Sequence, residues 1–252
     1  MASDGVNKRH VRKPWYSTAC CPSNMARFMP SVPGYMYAHD ANDLYVNLFI
    51  GGEATITMDR GTVQVAQETN YPWDGNVSIT VNPDKSGRFD LLIRIPGWTR
   101  NQPVPSDLYR YLQANNEKVR VSVNGKPVAW KTQKGYVRIS RKWKAGDQVA
   151  LNMPMPIRRV VSHERVEDNA GRVAIERGPI VYCAEGVDNG GKALELVLPD
   201  TAELTYAHHA DQFDGATLIE ASAKGGDQVK LIPYYAWAHR GRGEMNVWLK
   251  RN

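Results

Sequence analysis

Two adjacent thiols carry the strongest chemical signal in this chain. Cys20 and Cys21 open the run Cys20-Cys21-Pro22-Ser23-Asn24, and the chain has 3 cysteines in all. Neighbouring cysteines strain against closing a disulfide on each other, because the backbone between them cannot meet the bond's geometry. They can instead turn both thiolates toward one soft metal. Zinc takes thiolates at ~2.3 Å and usually completes a set of four ligands. The pair would supply half of that set. Two small buried hydrophobes are the plainer reading of such a pair. Three cysteines cannot all pair internally, so a disulfide framework is not expected.

The other reactive residues carry weaker signals. Cys183 lies in the apolar run Ile180-Val181-Tyr182-Cys183 and reads as core. His208 and His209, with Asp211 and Asp214, invite a metal reading. Adjacent strand residues point to opposite faces, however, and the expectation is a polar loop. Gly241-Arg242-Gly243-Glu244 lacks the strand–turn–helix setting of a phosphate loop and reads as a turn. Asp147 and Glu164 have no partner carboxylate that the sequence can place. Tyr109 and Tyr111 are of a type that stacks on sugars, although packing of their own segment is the commoner use.

The elements that must position the pair follow from pattern. Pro22 suits a first helical turn, where its missing N–H would be unpaired anyway. Met25, Phe28, Met29 and Val32 fall at helical spacing, and Pro30 and Pro33 end the helix near Met29. Its apolar face has little to bury it within the chain, so it looks like the last helix of a helical domain upstream. Trp15 and Tyr16 before it are apolar enough to be packed.

After Asp40 the texture becomes β. Strands are expected at Leu44–Ile50, Glu53–Met58, Val63–Glu68, Val77–Val81 and Leu91–Ile95. Val119–Val123 runs into Asn124-Gly125, a hairpin signal, with a partner strand near Val128. Tyr136–Ile139 and Gln148–Met153 are expected to pair as a hairpin around Lys144–Asp147. Residues 102–117 break the rhythm as a short helix or an ordered insert. Met153-Pro154-Met155-Pro156 is the best internal boundary. Beyond it, strands are expected at Arg172–Arg177, Ile180–Ala184, Ala193–Leu198, Ala216–Ala221, Gln228–Pro233 and Met245–Leu249. The expected fold is mainly β, a β-sandwich or jelly-roll preceded by a short helical remnant. The parts are 1–40 (helical remnant with the cysteine pair), 41–155 (sandwich) and 156–252 (a second small β-rich domain or an extension of the first).

Composition narrows the function classes. Hydrophobic residues at 42% and charged residues at 23% are ordinary for a soluble globular protein. No apolar run approaches the ~20 residues of a membrane helix, and Met1-Ala-Ser-Asp-Gly lacks a signal peptide's apolar region. A net charge of +6 permits an anionic partner. The basic residues are spread out, with the densest cluster at Lys8, Arg9, His10, Arg12 and Lys13, so no nucleic acid partner is expected.

The stretch from Trp15 through Tyr37, with Cys20-Cys21-Pro22-Ser23-Asn24 followed by Ala26-Arg27, resembles the bacterial β-L-arabinofuranosidases of glycoside hydrolase family 127 and the related family 146. The likeness continues at Asn70-Tyr71-Pro72-Trp73-Asp74-Gly75, Arg94-Ile95-Pro96-Gly97-Trp98, Glu176-Arg177-Gly178-Pro179 and Ile232-Pro233-Tyr234-Tyr235-Ala236-Trp237. The resemblance implies an N-terminal (α/α)6 barrel followed by β-sandwich domains. It implies zinc held by both cysteines of the pair, with a Glu and a third Cys from an upstream Glu-x-Cys motif. Cys20 maps to the nucleophile of a retaining glycosidase and Cys21 to a purely structural zinc ligand. A separate upstream Glu is the acid/base. This chain contains no Glu-x-Cys, and Cys183 is in the wrong region to replace the lost ligand.

The expectation is therefore the C-terminal portion of such an enzyme, whose parent acts on plant-type glycans in the bacterial cytoplasm or periplasm. Its partners would be a carbohydrate substrate, the missing barrel and a second copy paired through a sandwich. The chain alone is expected to be inactive and zinc-free, with its two thiols exposed or disordered. The alternative is a non-catalytic module for carbohydrate binding or dimerisation.

Overall fold

The structure, a computed structural model, describes residues 2–3, 11–13, 15, 17–222 and 228–252. Lys8, Arg9, His10 and Tyr16 lie outside these residues. The chain is mainly β. It divides into two compact units, one of Trp15–Arg100 with Asn116–Met155, the other of Met1–Pro14, Asn101–Asn115 and Pro156–Asn252. Strands are numbered along the whole chain.

The unit containing the cysteine pair is a sandwich of two sheets. Its strands are β2 (Tyr37–His39), β3 (Asp43–Val46), β4 (Gly52–Met58), β5 (Gly61–Thr69), β6 (Asn76–Pro83), β7 (Gly87–Arg94), β9 (Arg120–Val123), β10 (Lys126–Pro127), β11 (Thr132–Gln133), β12 (Tyr136–Trp143) and β13 (Asp147–Asn152). One sheet runs β10-β9-β13-β6-β5-β4 and the other β11-β12-β7-β3-β2. Period-two alternation turns Val63, Val65, Val77, Ile79, Val81, Val149 and Leu151 inward from the first sheet. Leu44, Val46, Leu91, Ile93, Val137, Ile139 and Trp143 meet them from the second in a single core.

Two expectations fail here, each for a physical reason. Tyr136–Ile139 and Gln148–Met153 do not form a hairpin. β12 pairs with β7, and β13 pairs with β6 and β9, so the turn between them crosses from one sheet to the other. That crossing places Trp143 wholly inside, where its Nε1 donates to the Phe89 carbonyl at 3.0 Å. The strand expected over Leu44–Ile50 stops at Val46, because the N–H groups of Asn47 and Leu48 both turn to the Met36 carbonyl. The hairpin after β9 does form, with Asn124 at φ 50° and Gly125 at φ 73°. Both angles are left-handed, as the tight two-residue turn requires.

Among the described residues, the second unit is built on a ten-stranded sheet. Its strands are β1 (Ala2–Ser3), β8 (Tyr109–Tyr111), β14 (Ile157–Ser162), β15 (Arg172–Arg177), β16 (Ile180–Glu185), β17 (Leu204–His209), β18 (Ala216–Ser222), β19 (Gln228–Pro233), β20 (Met245–Asn246) and β21 (Leu249–Lys250). The main order is β17-β18-β19-β16-β15-β14-β8, with β20 on β16, β1 on β20 and β21 on β15. Val173, Ile175, Tyr182, Ala184, Leu198, Ile219 and Leu231 centre its core.

The segment around Tyr109 is not a helix; it is a strand hydrogen-bonded to β14. His208 and His209 lie on edge strand β17 and not in a loop. Edge strands tolerate polar side chains on both faces, which removes the alternation that would have marked this one. Ala193–Leu198 is not a strand. Glu244 Oε2 accepts the N–H groups of Ala193 and Leu194 at 2.6 and 3.0 Å, taking donors that a ladder would have used.

Candidate functional site

The pair sits at the start of α1 (Cys20–Phe28). The first four N–H groups of a helix have no intrahelical acceptor, so Pro22 costs no hydrogen bond here. The Ser23 N–H and hydroxyl both turn back to the Ala19 carbonyl, at 3.2 and 2.6 Å. Arg27 donates to Asn24 Oδ1 at 3.2 Å on the same face. Beyond Phe28 the chain tightens into a 3-10 turn, Met29–Tyr35, which contains Pro30 and Pro33.

This geometry fixes the thiols. The two sulfurs lie 3.9 Å apart and both side chains are exposed. Two thiolates sharing a tetrahedral zinc at ~2.3 Å stand roughly 3.8 Å from each other. The observed spacing is close to that separation. The hydrogen bond and charge of Cys20, with a smaller contribution from burial, raise the Cys21 pKa above the ordinary thiol value. Two thiolates this close repel unless a cation lies between them. Among the described residues no group of three or more His, Cys, Asp and Glu side chains gathers to hold a metal.

The helix buries none of its residues. Met25, Phe28, Met29, Tyr35 and the preceding Trp15 are all more than half exposed.

The remaining candidates resolve into structural roles. Cys183 is buried on β16, and burial pushes its thiol up to about 12. Asp147 is buried at the first position of β13, where it accepts from Asn124 Nδ2 at 2.8 Å and from the Lys144 N–H at 3.0 Å. Tyr111 donates to Glu176 Oε2 at 3.0 Å, and the Arg158 guanidinium lies 3.7 Å over its ring. That face is occupied by protein and stacks no sugar. Tyr109 packs against Trp248, their ring centres 5.5 Å apart. Arg12, from the basic cluster, donates to the carbonyls of Trp237 and Tyr235 at 3.0 and 3.1 Å. No helix among the described residues is long and apolar enough to cross a membrane. The contact of Glu176 with Tyr111 escaped sequence reasoning, because the two are distant in the chain and only the pairing of β8 with β14 and of β14 with β15 brings them together.

Comparison with known proteins agrees with this architecture. Residues 43–155 match the family model described as β-L-arabinofuranosidase, GH127 middle domain. Residues 157–250 match the glycoside hydrolase family 127 C-terminal domain. A non-reducing end β-L-arabinofuranosidase of Bifidobacterium longum is 33% identical over 98% of this chain and 40% of its own length. Among solved structures, a GH127 β-arabinofuranosidase matches at 40% identity and a TM-score of 0.88, covering 100% of this chain and 41% of its own. A GH127 β-L-arabinofuranosidase from Geobacillus stearothermophilus T6 matches at 38% identity and a TM-score of 0.84, covering 97% of this chain and 39% of its own. The chain thus spans about 40% of the length of these relatives. Two consecutive domain models of one family, with solved members of that family superposing along the chain, place it: the chain belongs to glycoside hydrolase family 127, of which it carries the middle and C-terminal domains.

Proposed function

We propose that this chain is the C-terminal part of a retaining β-L-arabinofuranosidase-like hydrolase and that Cys20 is its nucleophile. The carrying observation is the exposed pair of sulfurs held 3.9 Å apart on the first turn of α1. Cys20 and Cys21 would hold zinc, together with a Glu and a Cys from the part of the protein that the matched 40% does not include. Zinc bound there would keep both sulfurs deprotonated at neutral pH. Cys20 Sγ attacks the anomeric carbon, and the carbon–oxygen bond to the leaving group breaks as that oxygen takes a proton from the acid/base. Water activated by the same group then displaces the sulfur, and two displacements give net retention. Cys21 holds the geometry and does not touch the sugar. The acid/base lies outside this chain. The exposed Met25, Phe28, Met29 and Tyr35 support an (α/α)6 barrel packing on this helix in the complete enzyme.

The test joins this chain to the part of the Bifidobacterium longum relative that it does not match. The fusion is expected to hydrolyse p-nitrophenyl β-L-arabinofuranoside and to hold about one zinc per chain. Cys20→Ala is expected to cut turnover by about 10³-fold or more, and Cys21→Ala to lose the metal. Normal turnover in the Cys20→Ala fusion would remove Cys20 from the mechanism. The 252-residue chain on its own is expected to release no nitrophenol; turnover by it would refute the division of labour.

A further inference from the structure

We propose that the outer face of the six-stranded sheet is a binding cleft for a short neutral oligosaccharide. A cavity of about 910 Å³ lies there, within a single unit. Its size matches clefts that enclose small ligands.

Three neighbouring strands make its floor, each with a run of three residues. They are Arg120-Val121-Ser122 on β9, Ala150-Leu151-Asn152 on β13 and Asn76-Val77-Ser78 on β6. Val121, Leu151 and Val77 are buried in the sandwich core, so the pleat turns the flanking residues outward. Register lines these up in two rows. Asn152 pairs with Arg120 on one side and Asn76 on the other; Ala150 pairs with Ser122 and Ser78.

The first row is a hydrogen-bonded ladder. Arg120 Nη2 donates to Asn152 Oδ1 at 2.9 Å, and Asn152 Nδ2 donates to Asn76 Oδ1 at 2.7 Å. Asn152 is thereby engaged through both its amide oxygen and its amide nitrogen, which fixes the centre of the row. The second row is small, Ser122-Ala150-Ser78, and leaves the depression. Pro127, Val128 and half-buried Trp130 line one side, and Glu68 and Asp74 line another.

This combination selects its ligand by chemistry. A sugar hydroxyl both donates and accepts, and the cleft offers fixed amide donors, hydroxyls and carboxylate acceptors together. The apolar side suits the C–H face of a sugar ring. One arginine against two carboxylates gives no positive field for a polyanion. The polar ladder beside the apolar wall suits a ligand that presents hydroxyls on one face and C–H groups on another. Because the ladder is already locked by protein partners, binding orders the ligand and little else.

The experiment is calorimetric titration of the full chain with arabinotriose, xylotriose and a sulfated heparin trisaccharide, with no catalysis involved. Saturable binding of a neutral trisaccharide is expected. Asn152→Ala should weaken it about tenfold by removing the centre of the ladder. Ser122→Trp, which fills the depression from the solvent side, should abolish it. Thr57→Ala, on the same sheet but outside the cleft, should leave it unchanged. Thermal melting of each variant establishes that it is folded. No binding of either neutral trisaccharide at millimolar concentration, undiminished binding by Ser122→Trp, or preference for the sulfated probe would each overturn the proposal. A negative result here leaves the Cys20 fusion experiment unaffected, so the two readings fail separately.

Discussion

At the scale of single residues, two carboxyls behave in opposite ways. Burial pushes the Asp147 pKa upward, but the Asn124 amide, the Lys144 N–H and the charges of Arg141 and Lys144 outweigh it and hold the group below the usual range. Its stabilising contribution is complete above the unfolded value of ~3.9 and is lost as pH falls through the native value. Asp147→Ala is expected to cost about 2–3 kcal/mol at pH 7 by urea denaturation, and less at pH 3. Glu176 is the reverse. Burial raises its pKa, and the hydrogen bond from Tyr111 with the charge of Arg158 only partly offsets this. The native state therefore keeps this proton longer than the unfolded chain does. Stability from this group is fullest below ~4.3 and declines as pH rises through the native value. Glu176→Gln, which still accepts from Tyr111, should flatten that decline when melting temperatures at pH 4 and pH 7 are compared. The cysteine pair was legible in sequence as two thiols next to each other, and the structure then set their sulfurs 3.9 Å apart. The Glu176–Tyr111 contact was not, because its partners are 65 residues apart.

At the scale of elements, close approach decides more than propensity. Gly75 packs so tightly that an added Cβ would lie 1.8 Å from the Met153 carbonyl oxygen. The Gly75 carbonyl also accepts the Met153 N–H at 2.9 Å, tying the start of β6 to the end of β13. Gly75→Ala is expected to destabilise the protein by about 2–4 kcal/mol, read as a fall in melting temperature. Gly125, at φ 73°, should lose about 1 kcal/mol on change to Ala. Strands β4, β5 and β6 were legible because each alternates and buries one face. The polar edge strand β17 and the three-residue β8 were hidden, since neither carries enough buried side chains to make a pattern. The β12–β13 turn shows the opposite failure. Its local chemistry suits a hairpin, but pairing with β7 and β6 buries both strands in separate sheets and prevails.

At the scale of the molecule, two cores lie in two units. Each core should answer for its own unit. Ile79→Ala and Ile219→Ala, both at fully buried positions, should each cost about 2–5 kcal/mol. In urea unfolding each should move a different transition; a single transition shifted equally by both would show that the units unfold as one. The sequence by itself determined the mainly β class, a short helix around Pro22, and the Asn124-Gly125 turn. These depend on period, on proline and on backbone angles set by one or two residues. Only the tertiary structure decided which strands share a sheet, that residues 109–111 join β14, and that Arg120, Asn152 and Asn76 form one row. Those facts depend on register between distant segments, which no local pattern encodes.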